Sequence, residues 1–174
     1  MKRIAIDMDE VMADANLRFR EWYERDYARR LSAEEMHGKH YKDMVLPEHR
    51  ELTMKYPYVE GFFKDMSVIE GSQEVILELS KKYEIFITTA AMQFPTSFAH
   101  KYEWLKKHFP FIPSTHFVFC GEKGIILADY LIDDHVRNFK RFTGQGILFT
   151  SPHNVHEVWT PRVNNWQEVA ALLL

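Results

Sequence analysis

The pattern that most constrains the fold is a series of short apolar runs separated by stretches with helical spacing. Runs of strand length lie at residues 3–8, 84–89, 116–120, 130–132 and 146–150. Apolar residues recur every three to four positions over residues 15–30, 72–82, 96–108 and 164–174. Short strands that alternate with helices are typical of a parallel sheet with helices on both faces. The sequence therefore predicts an α/β fold.

Polar side chains stand at the ends of these apolar runs. In parallel sheets of this kind, the ligand site lies beyond the carboxyl ends of the strands. The residues directly after the runs are therefore the candidate functional residues. They are Asp7, Asp9, Thr89, Lys123, Asp133 and Asp134.

This combination of side chains indicates phosphoryl transfer. Two carboxylates about 4 Å apart repel by about 4 kcal/mol at an effective dielectric constant near 20, so the acidic residues need either protons or a cation between them. Oxygen ligands are those that Mg²⁺ prefers, and a lysine and a threonine hydroxyl can bind phosphate oxygens. In such a site, electrostatic stabilisation supplies most of the catalysis.

The spacing of the first two carboxylates suggests separate roles. Asp7 could attack phosphorus and form an aspartyl-phosphate. Asp9 lies two residues further on and therefore on the same side of an extended segment. From there it could protonate the leaving oxygen and later activate water, as a general acid and base does.

The order of these residues resembles that of the haloacid dehalogenase-like phosphatases, and further motifs narrow the resemblance to the 5'(3')-deoxyribonucleotidase family. The resemblance covers most of the chain and is weak only over about residues 15–58. The motifs that carry it are Asp7-Met8-Asp9-Glu10-Val11-Met12-Ala13-Asp14, Gly61-Phe62-Phe63, Phe86-Ile87-Thr88-Thr89, Lys101-Tyr102-Glu103-Trp104, Lys123, Asp129-Tyr130-Leu131-Ile132-Asp133-Asp134, Leu148-Phe149-Thr150 and His153-Asn154.

The resemblance implies a Rossmann-like sheet and a magnesium-dependent catalytic centre. It makes Asp7 the nucleophile and a Mg²⁺ ligand. Asp9 becomes the general acid and base and a metal ligand through its backbone carbonyl. Asp134 is the third protein ligand of the metal, with Asp133 beside it.

The resemblance also implies which residues bind the phosphate, and it includes departures from the family pattern. Thr89 and Lys123 hold the phosphate. Glu10 stands where the family often has glycine, and Ala15 where the animal enzymes have phenylalanine. The pattern Cys-Thr-Ser is replaced by residues 88–90, Thr-Thr-Ala.

The stretch between the first two motifs is the predicted cap. Residues 1–14 and 72–174 form the predicted core domain, and residues 15–71 the small cap. Beyond the helix predicted over residues 15–30, the irregular stretch 31–71 is expected to hold one or two short helices. A cap inserted there projects over the strand ends and excludes water from the reaction. Within it, Phe62 and Phe63 are the candidate contacts with a nucleobase, and packing in the core is the alternative role for both.

The predicted function is a magnesium-dependent phosphatase for (deoxy)ribonucleoside 5'(3')-monophosphates. The nearest alternative is a phosphatase for another small phosphate ester, such as a sugar phosphate. A phosphate-accepting signalling module of the receiver type is an alternative from a different class. In receivers the acidic pair comes first, whereas here Asp133 and Asp134 follow Lys123. A catalytically silent magnesium-binding scaffold has no support in the sequence.

Charge and composition exclude several classes of partner. The 22 lysines and arginines against 25 aspartates and glutamates give a net charge of −3, which argues against a general grip on nucleic acid. No segment resembles a secretory signal or a membrane span, and the single cysteine cannot form an intrachain disulfide. We therefore expect a cytoplasmic protein whose partner is a nucleotide. The sequence is compatible with a homodimer but does not determine the oligomeric state.

The nine histidines form no convincing metal-binding motif in the sequence. The pairs His37-x-x-His40 and His153-x-x-His156 lack cysteine or carboxylate partners at zinc spacing, so surface or loop roles are expected for them. No Ser-His-Asp arrangement and no glycine-rich phosphate loop is found.

Overall fold

Six parallel strands form a single sheet in the computed structural model, which describes residues 1–174. The strands lie in the order β3-β2-β1-β4-β5-β6. Their bounds are β1 Arg3–Asp7, β2 Glu84–Thr89, β3 Phe117–Phe119, β4 Tyr130–Asp133, β5 Gln145–Phe149 and β6 Arg162–Val163. The chain starts at the centre of the sheet, extends it to one side, and then crosses β1 to build the other side.

Seven α-helices accompany the sheet, and five of them lie between β1 and β2. Their bounds are α1 Ala15–Tyr27, α2 Ala33–Met36, α3 Tyr41–Met44, α4 Arg50–Thr53, α5 Ser72–Ser80, α6 Ser97–His108 and α7 Trp166–Leu173. Short 3₁₀ turns lie at Pro47–His49, Tyr56–Tyr58, Ala91–Gln93, Ser114–His116, Lys123–Ile125, Val136–Phe139 and Pro152–Asn154.

The predicted α/β class with a parallel sheet is confirmed. Most elements lie within two residues of their predicted bounds, and residues 31–71 contain three short α-helices instead of one or two. Two further differences have a clear cause. The helix capped by Asp14 ends at Tyr27 because Ala28 adopts a left-handed conformation with φ of 49°. The chain therefore leaves the helix three residues before the predicted end at residue 30. Strand β6 was not predicted, since two residues are too few to show a periodicity.

Alternate strand residues pack into two hydrophobic layers. Ile4 and Ile6 of β1 join the larger core cluster, which also contains residues of α1, α5, α6 and α7. Ala5 points the other way, into a smaller cluster with Phe139 and Phe142. On this second face, a 3₁₀ turn takes the place of a full helix. With both faces covered, the sheet has its polar side chains at the ends of its strands.

The inserted segment leaves and rejoins the sheet at neighbouring points. Ala13 forms an antiparallel bridge with Val68, and the N–H of Asp14 donates to the carbonyl of Ser67 at 2.9 Å. Aromatic residues of the segment, such as Phe19, belong to the same buried cluster as the strand residues. The segment is therefore anchored on the carboxyl end of the sheet.

None of the helices combines the length and the apolar character that crossing a bilayer requires.

Candidate active site

The predicted catalytic carboxylates lie at neighbouring strand ends. Asp7 is the last residue of β1, Thr89 of β2 and Asp133 of β4. Because β1 lies between β2 and β4, these three residues meet at the middle of the sheet. All three are buried.

Lys123 lies between two of these carboxylates. Its ammonium is 2.7 Å from Oδ1 of Asp7 and donates to Oδ2 of Asp133 at 2.6 Å. Asp133 also accepts from the backbone N–H of His135 and from the side-chain amide of Asn138. Both oxygens of Asp133 are therefore engaged, and they hold the buried lysine against Asp7.

Burial is the largest single effect on the pKa values of Asp7, Asp134 and Lys123. It raises the pKa of Asp7 to about 7, although the ammonium of Lys123 acts in the opposite direction. Burial, followed by the charges of Asp7 and Asp133, raises the pKa of Asp134 well above its usual range. Burial disfavours the charged form of Lys123, but the two carboxylates outweigh this effect and raise its pKa. Burial and mutual repulsion therefore favour the protonated forms of Asp7 and Asp134, although Lys123 keeps its charge.

A second lysine, Lys101, binds Asp9, the other predicted catalytic residue, and Thr89, a predicted phosphate ligand. Lys101 of α6 is 1% exposed and forms an ion pair with Oδ2 of Asp9. Its ammonium also donates to Oγ1 of Thr89 at 3.0 Å. The other carboxylate oxygen of Asp9, Oδ1, is buried without a hydrogen-bond partner. Asp9 is thus oriented by one charge and has a free oxygen.

Three carboxylates offer a place for a cation. One oxygen from each of Asp7, Asp133 and Asp134 lies within 4.8 Å of the others. Hard divalent ions bind oxygen ligands of this kind. Burial and the mutual repulsion of the carboxylates raise the pKa values of Asp7 and Asp134, and a bound cation would offset both effects. The donor set therefore fits a divalent metal ion.

Asp134 also faces two imidazoles. The Nε2 atoms of His153 and His135 lie 3.5 and 3.8 Å from its Oδ2. Its backbone carbonyl accepts a 2.7 Å hydrogen bond from the side-chain amide of Asn154. Burial lowers the pKa of His135 to about 3 and that of His153 to about 4. Both imidazoles are therefore neutral near pH 7.

Comparison with known proteins identifies the family. The model of the family "5' nucleotidase, deoxy (Pyrimidine), cytosolic type C protein" matches residues 1–174. The chain belongs to this nucleotidase family. A 5'(3')-deoxyribonucleotidase of Bacillus subtilis is 41% identical over 180 residues, which cover 99% of each chain. A provisionally named 5'(3')-deoxyribonucleotidase of Staphylococcus epidermidis is 46% identical over 168 residues, covering 97% of this chain and 93% of the relative.

Solved structures agree on the fold of this nucleotidase. A haloacid dehalogenase-like hydrolase of Streptococcus pneumoniae has a TM-score of 0.64 at 10% identity, covering 100% of this chain and 99% of its own. A Bacillus subtilis hydrolase of the same superfamily, solved bound to magnesium, has a TM-score of 0.61 at 14% identity, covering 99% and 98%. The predicted family and superfamily are confirmed. The protein is a phosphoric monoester hydrolase with the haloacid dehalogenase-like fold.

Glu10 occupies the position where the family resemblance leads us to expect glycine, and its backbone conformation is one that favours glycine. Glu10 adopts φ of 62°, in the left-handed region. Its Oε1 accepts a 3.0 Å hydrogen bond from the hydroxyl of Tyr41 in the inserted segment. Burial, with the nearby charge of Asp14, raises the pKa of Glu10 to about 8. The departure from glycine thus links the first catalytic loop to the insertion.

The two phenylalanines predicted to contact a base are both buried. Phe62 packs against the rings of Trp22 and Phe63. The ammonium of Lys101 lies 4.5 Å from the ring centroid of Phe63. Because the same ammonium pairs with Asp9, Phe63 lies next to a predicted catalytic carboxylate. Contact of either phenylalanine with a base stays a prediction.

Sequence reasoning did not assign a role to Lys101, although it lies in one of the motifs. The signal that could have revealed it is its position on an apolar helix face. Lys101, Trp104 and Leu105 are three and four residues apart, and all three are buried. A lysine on the buried face of a helix needs a charged partner, and here the partner is Asp9.

Proposed function

We propose that this hydrolase acts on deoxyribonucleoside and ribonucleoside 5'- and 3'-monophosphates, with Mg²⁺, through an aspartyl-phosphate on Asp7. The observation that carries the proposal is the pairing of two buried lysines with two catalytic carboxylates. Lys123 contacts Asp7, and Lys101 contacts Asp9. The names of the 41–46% identical relatives support the nucleotide substrate.

The donor set supports Mg²⁺ as the metal. The side chains of Asp7 and Asp134 would hold the ion together with the backbone carbonyl of Asp9, which accepts no hydrogen bond from the backbone. Asp133 would lie beside the ion, because its oxygens already accept hydrogen bonds from Lys123 and Asn138. Bound there, Mg²⁺ would neutralise charge on the phosphate oxygens. The magnesium-bound structure of a distant superfamily member agrees with this choice.

The first half of the reaction forms a bond from the protein to phosphorus. A carboxylate oxygen of Asp7 attacks phosphorus while the bond from phosphorus to the nucleoside oxygen breaks. In the complex with substrate, Asp9 carries a proton on Oδ1, the oxygen that Lys101 does not engage, and gives it to the departing nucleoside oxygen. The products of this half-reaction are a nucleoside and a phosphorylated Asp7.

The second half restores the enzyme. Asp9, now a carboxylate, takes a proton from a water molecule as the water oxygen attacks phosphorus. The bond between phosphorus and Asp7 breaks, and inorganic phosphate leaves. Asp9 has regained its proton and Asp7 its negative charge, so the cycle balances.

In the proposed complex, two ammonium groups and one hydroxyl bind the phosphate of the substrate. Lys123 and Thr89 bind its oxygens, as the strand-end pattern suggests, and we add Lys101 to this set. Its ammonium already bridges Asp9 and Thr89. Buried, fixed charges of this kind stabilise a phosphoryl transition state without reorganisation.

The inserted segment, residues 15–71, serves as the cover of this site. Its contact with the catalytic loop, from Tyr41 to Glu10, supports that role.

We place the activity in the cytoplasm, because the single cysteine, Cys120, is free and buried, as is typical of reducing compartments.

Magnesium affinity should rise between pH 6 and pH 8. Burial holds the pKa of Asp7 at about 7, so below this pH the carboxyl carries a proton that the ion must displace. For each pH unit below 7, the apparent affinity should fall by up to about tenfold per displaced proton. Titration calorimetry in two buffers of different ionisation enthalpy measures the protons released. An affinity independent of pH, with no proton release, would contradict this expectation.

A substrate panel tests the proposed function. With Mg²⁺, deoxyribonucleoside and ribonucleoside monophosphates should give a kcat/KM at least about tenfold above that for ribose 5-phosphate, since contacts with the remote base contribute to transition-state binding. Equal rates on both classes would favour the alternative of a general phosphatase for small esters. A phosphorylated protein that persists for hours would favour a signalling module instead.

A further inference from the structure

Three histidines from separate parts of the chain meet next to Asp134. His135 follows β4, His153 lies in the 3₁₀ turn after β5, and His40 precedes α3 in the inserted segment. The ring centroids of His135 and His153 are 4.4 Å apart, and that of His40 lies 5.2 Å from His153 and 6.4 Å from His135. None of the three has a role in the reaction proposed above.

The donor atoms are close to the separation that a shared ion requires. Nε2 of His153 and of His135 lie 3.5 and 3.8 Å from Oδ2 of Asp134, and one donor atom from each residue lies within 4.8 Å of the others. Two ligands about 2.1 Å from a tetrahedral zinc ion are about 3.4 Å apart. Small side-chain rotations therefore suffice to bring the donor atoms of Asp134, His135 and His153 onto one ion. The ring of His40 lies further out, with its centroid 5.2 Å from that of His153, and has to move inward to become the fourth ligand.

Ser151 supports the orientation of one imidazole. Its Oγ lies 2.6 Å from Nδ1 of His153 and can accept the Nδ1–H. Nε2 then carries the lone pair on the side of Asp134. Histidines that ligate metals commonly donate their other N–H to a fixed partner of this kind. In the absence of an ion, the alternative tautomer donates from Nε2 to the carbonyl of Asp134 at 3.2 Å.

We propose that Asp134, His135, His153 and His40 form a second cation site that binds a transition metal ion, with Zn²⁺ as the representative. Three imidazoles and one carboxylate are a donor set that suits zinc, whereas the oxygen-only set around Asp7 suits magnesium. The two carboxylate oxygens of Asp134 allow it to serve both sites. The chain thus distinguishes two metals by donor chemistry over a short distance.

His40 gives this site a structural consequence. It belongs to the inserted segment, while the other three ligands belong to the sheet end. The next residue, Tyr41, already contacts Glu10 of the catalytic loop. A zinc ion bound through His40 therefore ties the insertion to the sheet at a further point.

Zinc binding to the full chain in saturating Mg²⁺ tests the site without any turnover. Titration calorimetry should give one zinc ion per chain that Mg²⁺ does not displace. The variants His153→Asn and His40→Gln should each bind zinc at least about tenfold more weakly, because even residues that only support a metal ligand have effects of this size. The control His108→Asn changes a histidine at the end of α6 and should bind zinc as the unchanged protein does.

Two outcomes of this titration would overturn the site. One is equal zinc affinity in all variants. The other is displacement of zinc by Mg²⁺, which would locate the zinc among the catalytic carboxylates. Hydrogen exchange supplies the second measurement. Zinc should slow exchange over residues 37–44 in the unchanged protein but not in His40→Gln, and unchanged exchange with zinc bound would refute ligation by His40.

Discussion

Replacing Asp7 by Asn should lower turnover of a deoxyribonucleoside 5'-monophosphate by at least about 10⁴-fold while the fold is retained. The amide has the shape of the carboxyl but cannot form the aspartyl-phosphate. Losses of this size follow when a nucleophile is removed from an enzyme that forms a covalent intermediate. Phosphate release with saturating Mg²⁺ measures the rate, and circular dichroism and thermal unfolding check the fold. The exposed Asp65→Asn serves as the matched control and should keep full activity.

A second ester separates the roles of the two carboxylates. The p-nitrophenolate group leaves without a proton, so in Asp9→Asn the first, pre-steady-state release of p-nitrophenolate should be slowed much less than that of a nucleoside. Steady-state turnover should fall on both substrates, because Asp9 also activates the water of the second half-reaction. Asp7→Asn should fail on both substrates, because both need the nucleophile. If Asp7→Asn kept a tenth or more of the activity on either substrate, Asp7 would not be the nucleophile.

The sequence predicted which polar residues lie together at the candidate site because one topological rule applies to them. Polar residues after parallel strands meet at one end of the sheet, and Asp7, Thr89 and Asp133 obey this rule. The pattern of apolar residues was sufficient to predict the central strands. It was insufficient for β6, whose two residues show no alternation, and for the end of α1, which depends on the conformation of Ala28.

Contacts that join distant elements could not be predicted in this way. Lys101 reaches Asp9 from a helix that follows the second strand, and no local pattern specifies that pairing. The same holds for the histidines beside Asp134. In the sequence, His40 and His153 belong to two unrelated His-x-x-His pairs, and only the return of the inserted segment to the sheet brings them together. Long-range side-chain partners require tertiary packing, which a single sequence does not display.

Lys123→Met should cost stability as well as activity. The ammonium is 2% exposed and lies between Oδ1 of Asp7 and Oδ2 of Asp133, at 2.7 and 2.6 Å. Its removal leaves two buried carboxylates without a counter-charge, which should lower the free energy of unfolding by about 3 kcal/mol at pH 8. Turnover should fall by about 10³-fold, since the charge that binds the phosphate is lost.

The pH dependence of that destabilisation separates charge from packing. Without the ammonium, the already raised pKa of Asp7 rises further, so the carboxyl takes up a proton more readily as the pH falls. The variant should therefore regain stability at pH 5.5, whereas Lys107→Met, at an exposed lysine, should change unfolding by less than about 0.5 kcal/mol at either pH. Urea unfolding at the two pH values gives both free energies. An equal loss at both would mean that Lys123 acts through its volume, and the balance of charge around Asp7 would then have to come from elsewhere.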